Sequence, residues 1–416
     1  MLKPLLSLTS RLDFLLILLL VLLSGNPAIY FGNPEIVRVC VAVFLFALIM
    51  FRNGVVFTKR SVLVVISFVT IFFLQSFFTD RFYGLAMLGF LTTLVTGYAV
   101  IRLAPKFTSQ YVNVLFYLSL LSFIFYFPAQ LLHVFGFDFK SLFEFMKYET
   151  TAESQQFYIY LHNFRVSSNP YIENEEWRNA GLFWEPGAFS GYLSLALIFL
   201  SITKKEFTAA EYRNRFSVLS VALLTTFSTA GFFVYSLIVL FLYADIRKLL
   251  AHKKTYIVVF ILAISAPLSI PVVSMQLEKV AHEIEHASLQ SDRYGMTRLG
   301  GLIFDLNYIA QRPLLGWGAD QQARLEYDPS IEVVLKEQGN GLTGFIVKFG
   351  LAGLFLVLYF TWKGFTALTA SHIKSALIVL VLMLLLLDEY FLNFPLFLSL
   401  LFLGKQNLSH FSERKI

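Results

Sequence analysis

Long apolar runs separated by short charged segments dominate the pattern of hydrophobic and polar positions along this chain. Many of them approach the length of about 20 residues that a helix needs to cross the hydrocarbon core of a bilayer. A backbone within lipid must satisfy its polar groups inside its own segment, so each run is predicted to be a helix. We predict about twelve such helices, with a break at Ser228–Thr229 dividing 216–246 into two. They cover residues 12–31, 36–51, 61–78, 82–103, 110–136, 182–203, 216–227, 229–246, 255–274, 342–362, 373–388 and 390–404.

The charges between these runs predict how the chain is oriented. Basic residues gather in alternate loops, whereas the short turns on the opposite side contain only Arg38 and Arg81. The side rich in Lys and Arg is normally cytoplasmic, so both termini are predicted to lie inside. The basic residues assigned to the inside are Arg52, Lys59, Arg60, Arg102, Lys106, Lys204, Lys205, Arg213, Arg215, Arg247, Lys248, Lys253, Lys254, Lys363, Lys374, Lys405, Arg414 and Lys415.

Composition narrows the class of protein further. Hydrophobic residues make up 57% of the chain and charged residues 14%, which excludes a soluble globular protein and predicts an all-α polytopic integral membrane protein. The net charge of +6 arises from the inside loops and gives no reason to expect a nucleic-acid partner. Cys40 is the only cysteine, which excludes an intrachain disulfide and a metal site built from several cysteines.

Two connections are longer than neighbouring helices require, at 137–180 and 275–341, and both are predicted to lie outside. The second carries apolar stripes at helical spacing over 277–284 and 299–310. These stripes predict two amphipathic helices at the membrane interface, and Pro313 is predicted to end the second. The two loops divide the chain into membrane bundles at 1–136, 181–274 and 342–416.

The most informative segment is 178–187, RNAGLFWEPG, which leads from the first outside loop into an apolar run. Pro186 suits the first position of a helix, and a carboxylate at Glu185 suits the positive end of the helix dipole. Arg178 lies seven residues before Glu185, near enough to fold back over that terminus. Because helix N-termini and arginine both bind anions, the segment predicts a site for a lipid-linked phosphate or pyrophosphate.

Several candidate residues also have a purely structural interpretation. Arg293 and Arg298 in the second loop could bind phosphate bidentately, but an arginine at an interface also extends its side chain toward water without a ligand. Glu185 could act on a substrate, cap its helix or pair with Arg178. Trp184 could stack on a sugar ring or serve as an interface anchor. The sequence leaves these alternatives open.

The segment 178–187 resembles the O-antigen polymerase and O-antigen ligase family of bacterial membrane enzymes. Its Arg178, Gly181, Glu185, Pro186 and Gly187 are similar to the motif of the polymerase branch. The resemblance implies a GT-C-like arrangement of membrane helices with large extracytoplasmic loops.

Further patches carry the same resemblance. The segment 226–231, TFSTAG, is similar to the Ser/Thr-rich break before a span in this family. Arg298 followed by 313–318, PLLGWG, matches the large-loop pattern, and Asn340, Gly350 and Gly353 fit the segment after it. Ligase members carry a histidine directly before the asparagine, where this chain has Gly339. The resemblance therefore points to the polymerase branch and leaves the catalytic base unassigned.

The resemblance implies transfer of a growing glycan from undecaprenyl pyrophosphate to a new lipid-linked repeat unit, outside the inner membrane. It implies no cofactor, no metal and a chain-length regulator as a possible partner. Arg178, Arg293 and Arg298 would neutralise the departing pyrophosphate, and Glu185 is the candidate general base. The candidate substrate-binding residues are Arg293, Trp184, Gly181, Asn340 and Gly318.

Three other functions stay open at this point. A ligase would transfer the glycan to a lipid acceptor, and a flippase or transporter would move lipid-linked oligosaccharide without extending it. The segment 282–286, HEIEH, matches the HExxH signature of zinc proteases. Both of its histidines lie opposite the apolar stripe, and Leu289 replaces the glycine of the metzincin extension. These features disfavour the protease.

Overall fold

The computed structural model describes residues 2–27, 29, 34–53, 57–79, 82–149, 156–158, 161–164, 178–243, 298–319 and 340–404. Within these ranges the regular secondary structure is helical apart from one small antiparallel pair of strands. Four of the described helices are long and apolar enough to cross a membrane. The protein is therefore a helical membrane protein, while the full set of twelve spans remains a prediction.

The helices lie close to the predicted apolar runs. They are α1 (Leu2–Gly25), α2 (Pro34–Asn53), α3 (Lys59–Thr79), α4 (Gly84–Leu103), α5 (Phe107–Val134), α6 (Pro186–Ile202), α7 (Ala209–Thr225), α8 (Thr229–Ile238, continued by a π-turn over Val239–Tyr243), α9 (Arg298–Gln311), α10 (Gly341–Thr369), α11 (His372–Asp388) and α12 (Pro395–Ser399). The four of spanning length are α3, α4, α5 and α10. The predicted span 255–274 and the stripe at 277–284 lie outside the described residues.

Two compact units form, and each combines distant parts of the chain. The first contains residues 1–37, 102–267 and 405–416, and the second contains 38–101 and 268–404. Helices α3 and α4 belong to the second unit, and the division into bundles at 1–136, 181–274 and 342–416 stays a prediction.

Helix α6 forms the centre of the first unit. All of its residues from Pro186 to Leu200 are buried, as expected for a helix that is apolar all round. The Tyr192 hydroxyl donates to the Ser24 carbonyl oxygen at 2.6 Å, and the Tyr111 hydroxyl donates to the Tyr192 carbonyl oxygen at 3.1 Å. These two bonds tie α6 to α1 and α5.

The predicted break between two apolar runs at Ser228–Thr229 is confirmed. Helix α7 ends at Thr225, and Phe227 adopts a left-handed conformation with φ of 45°. The Ser228 hydroxyl then accepts a hydrogen bond from the Gly231 amide at 3.1 Å and caps α8. Local capping chemistry therefore stops one helix and starts the next.

The first long loop contains structure that the hydrophobic pattern does not predict. A 3₁₀ helix over Phe139–Met146 follows α5, and its inward aromatic side chains pack around Phe164. Strands β1 (Lys147–Glu149) and β2 (Gln156–Tyr158) then pair antiparallel. This part of the predicted loop 137–180 is thus built against the end of α5.

In the second unit, α9 and α11 both pack against α10. Arg60 at the start of α3 donates to the Leu403 carbonyl oxygen at 2.6 Å and to the Phe360 carbonyl oxygen. The predicted second amphipathic stripe is helical as α9, and it ends at Gln311, before Pro313.

The predicted continuous helix over 390–404 is wrong. The chain instead forms a 3₁₀ turn at Phe391–Asn393, the five-residue α12 and a second 3₁₀ turn at Leu400–Phe402. Phe394 is extended, with φ of −111° and ψ of 145°. Steric contact with Pro395 disfavours the α conformation at the preceding residue, which separates the turns.

Candidate functional site

The predicted anion-binding segment is anchored to the break between α7 and α8. The Arg178 Nε donates to the Thr226 carbonyl oxygen at 3.1 Å, and the Asn179 amide donates to the Thr225 carbonyl oxygen at 2.9 Å. The Asn179 side-chain amide also donates to the Thr225 hydroxyl at 3.1 Å. Two patches that the sequence analysis singled out separately, 178–187 and 226–231, are therefore in direct contact.

Gly181 gives the segment a tight turn. Its φ of 54° is left-handed, and its amide donates to the Asn179 Oδ1 at 2.9 Å. A Cβ at this position would lie 3.0 Å from the ring of Phe189. Glycine is thus required both by the backbone conformation and by the close approach of α6.

The aromatic pair after this glycine belongs to the core of the first unit. Phe183 is fully buried and stacks on Phe189 with ring centroids 5.1 Å apart. Trp184 is buried, and its ring meets that of Tyr192 edge to face at 6.4 Å. Trp184 therefore packs within the protein, and its contact with a sugar stays a prediction.

Glu185 occupies the N-cap position of α6, with Pro186 at the first helical position as predicted. The backbone of Glu185 is extended, with φ of −157° and ψ of 164°. Its partly exposed side chain accepts no capping hydrogen bond from the described first turn of α6. The carboxylate stands at the positive end of the helix dipole, and its action on a substrate and its pairing with Arg178 stay predictions.

Asn163, which the sequence analysis missed, holds this turn from the first long loop. Its backbone amide donates to the Gly181 carbonyl oxygen at 2.6 Å. Its side-chain amide donates to the carbonyl oxygens of Phe183 and Trp184, each at 3.0 Å. A single asparagine in a loop carries no pattern that would single it out from the sequence.

His162 is buried beside this asparagine. Its ring stacks on Phe125 with centroids 5.3 Å apart and meets Phe164 at 4.6 Å. The Nδ1 atom has no hydrogen-bond partner within the part of the chain that the structure describes. Burial in this aromatic setting lowers the pKa of His162 to about 3, so the imidazole is neutral at physiological pH.

In the second unit, Arg298 is the first residue of α9, while Arg293 lies outside the described residues. About two turns further along α9, the buried Asp305 carboxylate accepts a hydrogen bond from the Thr343 hydroxyl at 2.6 Å. The Asn340 Oδ1 accepts bonds from the Leu342 and Thr343 amides, each at 3.1 Å. Asn340 is therefore the N-cap of α10.

The segment 313–318 fills a break in α10. Gly350 interrupts that helix with φ of 65°, which leaves backbone groups without helical partners. The Trp317 amide donates to the Val347 carbonyl oxygen at 2.8 Å, and the Gly318 amide donates to the Lys348 carbonyl oxygen at 3.0 Å. Gly318 thus has a structural role in pairing these groups, and a ligand contact there remains untested.

Lys348 is a second residue that the sequence analysis missed. It lies within the predicted span 342–362, in a helix of spanning length, and its Nζ donates to the Asn393 Oδ1 at 3.3 Å. A cation within a membrane segment is costly unless it has polar partners.

The described residues include no group of three or more histidine, cysteine, aspartate or glutamate side chains suited to a metal ion. The HExxH segment 282–286 lies outside these residues. Arg178, Gly181, Trp184 and Glu185 belong to the first unit, and Arg298, Gly318 and Asn340 belong to the second. No protein-family model matches the chain, and no curated protein matches it.

Proposed function

We propose that this protein polymerises lipid-linked oligosaccharide repeat units in the bacterial inner membrane, with its site facing the outside. The observation that carries the proposal is the anchored turn from Arg178 to Glu185. An arginine and a carboxylate are held at its two ends, beside the N-termini of α6 and α8. Helix N-termini and arginine are suited to an anionic leaving group.

In the proposed reaction, a hydroxyl oxygen of the new repeat unit attacks the anomeric carbon of the growing glycan. The bond from that carbon to the pyrophosphate oxygen breaks, and undecaprenyl pyrophosphate leaves with the bonding electron pair. The hydroxyl proton passes to a base, for which Glu185 is the candidate. Atoms and charge balance without a cofactor or a redox partner.

The arginines supply the electrostatic part of this proposal. Arg178, Arg293 and Arg298 would stabilise the negative charge that develops on the pyrophosphate. Gly181 shapes the turn that carries Glu185, and Asn340 caps the helix that follows the second loop. A chain-length regulator is the proposed protein partner.

A glycan-ladder assay with purified protein in nanodiscs tests the proposal. Wild-type protein and undecaprenyl-pyrophosphate repeat units, with a chelator present, should yield a ladder of lengthening products. We expect Arg298→Ala and Glu185→Gln each to reduce turnover by about a hundredfold or more, the typical effect of losing charge stabilisation or a general base.

Two matched variants control for charge and fold. Arg213→Ala removes an exposed arginine from α7, and Glu144→Gln neutralises an exposed carboxylate of the first long loop. Both should leave the ladder unchanged. A folded wild-type protein that makes no ladder from a matched substrate would reject the polymerase, and lipid flipping and zinc content would then be measured. Near-normal turnover in Glu185→Gln would reject the role of Glu185 as the base.

A further inference from the structure

We infer that Asn163 is a positioning residue, which fixes the turn that delivers Glu185 to its place at the start of α6. This inference rests on the proposed function, because it assigns Asn163 a role in the same reaction. Asn163 lies in a short segment, 161–164, of the first long loop, and it is buried with 3% of its surface exposed. It is separated by more than fifteen residues of sequence from the turn that it holds.

The contacts of Asn163 are concentrated on one stretch of backbone. Its side-chain amide bridges the carbonyl oxygens of Phe183 and Trp184. These are the two residues immediately before Glu185. Buried backbone carbonyls need a donor, and here one primary amide with two hydrogens supplies both bonds. No other side-chain type of this size can donate twice without carrying a charge.

The same turn is held on its other side by the α7–α8 break, through Asn179 and Thr225. Asn163 therefore completes a clamp that grips the turn between two elements distant in sequence. Glu185 follows directly in an extended conformation, so a shift of the turn would move its carboxylate. A displacement of about 1 Å at a reacting group is enough to slow a reaction strongly.

His162 supplies a matched comparison inside the same segment. It is equally buried, but its ring packs on Phe125 and Phe164 and makes none of the described hydrogen bonds to the turn. If Asn163 only filled space in the core, replacing it would have the same effects as replacing His162. If Asn163 positions the turn, only its variants should disturb both the turn and the reaction.

Hydrogen–deuterium exchange of the full chain in nanodiscs, combined with the ladder assay, tests the inference. Asn163→Asp keeps the shape but loses both N–H donors of the side-chain amide, and Asn163→Leu loses both without adding a charge. The backbone bond from residue 163 to Gly181 persists in each variant, so only the side-chain clamp is removed. His162→Phe is the control, and peptides from α5 report whether the fold is intact.

We expect faster exchange at the amides of Asn179, Gly181 and Phe183 in both Asn163 variants, with exchange in α5 unchanged. The kcat should fall about tenfold or more while KM for the repeat unit stays within about twofold, the signature of lost positioning. His162→Phe should change neither quantity by more than about twofold.

Each other result has a distinct meaning. Unchanged exchange of the turn would overturn the clamp whatever the activity. Faster exchange with normal kcat in an enzyme that makes a ladder would overturn the positioning role alone. If wild-type protein makes no ladder, the proposed function fails and the catalytic role of Asn163 fails with it, while the exchange data still decide whether the clamp exists.

Discussion

At the scale of single residues, His162 and Asn163 are neighbours whose buried side chains compensate differently for lost hydration. The Asn163 side-chain amide nitrogen donates to two carbonyl oxygens, while its Oδ1 has no partner among the described residues. His162 packs between aromatic rings and has an Nδ1 without a partner among the described residues. Protonation would place a charge in this apolar setting, so the folded protein resists it.

This resistance predicts a stability loss in mild acid. The unfolded chain binds a proton at His162 near its ordinary pKa of about 6.5, whereas burial lowers the pKa in the folded protein to about 3. Between these values the unfolded state holds more protons, so stability falls as the pH falls. From pH 7 to pH 5 the loss from this one group should be about 2 kcal/mol, and above pH 7 the group contributes nothing.

Thermal unfolding in detergent at pH 5 and pH 7 measures this effect. The acid-induced drop in Tm should be smaller in His162→Phe than in the wild type, because phenylalanine keeps the aromatic packing and does not titrate. Equal drops in the two proteins would mean that other groups account for the acid sensitivity.

Residue roles around the candidate site differ in how far the sequence predicts them. Pro186 at the start of α6 follows from the local preference of proline for the first helical position. Gly181 is recognisable as part of a motif. The bonds of Arg178 to Thr226 and of Asn163 to Trp184 join residues far apart in the chain. Periodicity describes one element at a time and therefore cannot predict such pairs.

At the scale of elements, the break in α10 is sealed by a segment from outside the helix. The Leu351 and Ala352 amides donate to the Pro313 and Leu314 carbonyl oxygens at 2.8 and 3.0 Å. Gln75 of α3 donates from its side chain to the carbonyl oxygens of Leu315 and Lys348. Irregular backbone at membrane depth is stable only where protein groups satisfy it in this way.

Gly350 should therefore tolerate no side chain. Its φ of 65° is left-handed, and a Cβ would overlap the Leu314 carbonyl oxygen. Gly350→Ala should destabilise the protein by at least about 2 kcal/mol, from backbone strain together with loss of the seal. The Tm in detergent, read by size-exclusion chromatography after heating, measures the effect.

Gly89 in α4 is the matched control for that substitution. A Cβ there would meet no atom within 4 Å, and alanine is a better helix former than glycine. Gly89→Ala should leave Tm unchanged or raise it. If Gly350→Ala behaved in the same way, the break in α10 would not depend on glycine.

Elements that follow the helical period are predictable here, and those that depend on local chemistry are less so. Three helices, α3, α5 and α10, begin within a few residues of the starts of the predicted runs. Their starts are predictable because apolar length and helical period determine them. The run 390–404 is equally apolar, yet the chain breaks before Pro395. The pair β1–β2 is too short to leave a period-two signal.

At the scale of the whole molecule, the two units are assembled from interleaved parts of the chain. Hydropathy predicts where helices lie but not which helices pack together. Orientation in the membrane is a separate property. Whether two points of the chain lie on the same side depends on the number of spans between them. A test of orientation is therefore also a test of the twelve-span count.

Single-cysteine labelling makes that test, because Cys40→Ser gives a cysteine-free protein. Asp138, Ala210 and Lys374 are exposed and become reporters when replaced by cysteine. With an impermeant maleimide on spheroplasts, Asp138→Cys should react at once. Ala210→Cys and Lys374→Cys should react only after permeabilisation, because the positive-inside rule assigns both to the cytoplasm.

The comparison of Ala210 with Lys374 is the sharper part of this prediction. Four predicted spans separate them: α7, α8, the run 255–274 and α10. An even number returns the chain to the same side, so the two cysteines must behave alike. If 255–274 did not cross the membrane, Lys374→Cys would react from outside while Ala210→Cys stayed protected. The same result would follow if α7 and α8 crossed as one span. A further cysteine at Phe233, an exposed residue near the start of α8, separates the two explanations. Only a true turn between α7 and α8 keeps this position near the outer surface.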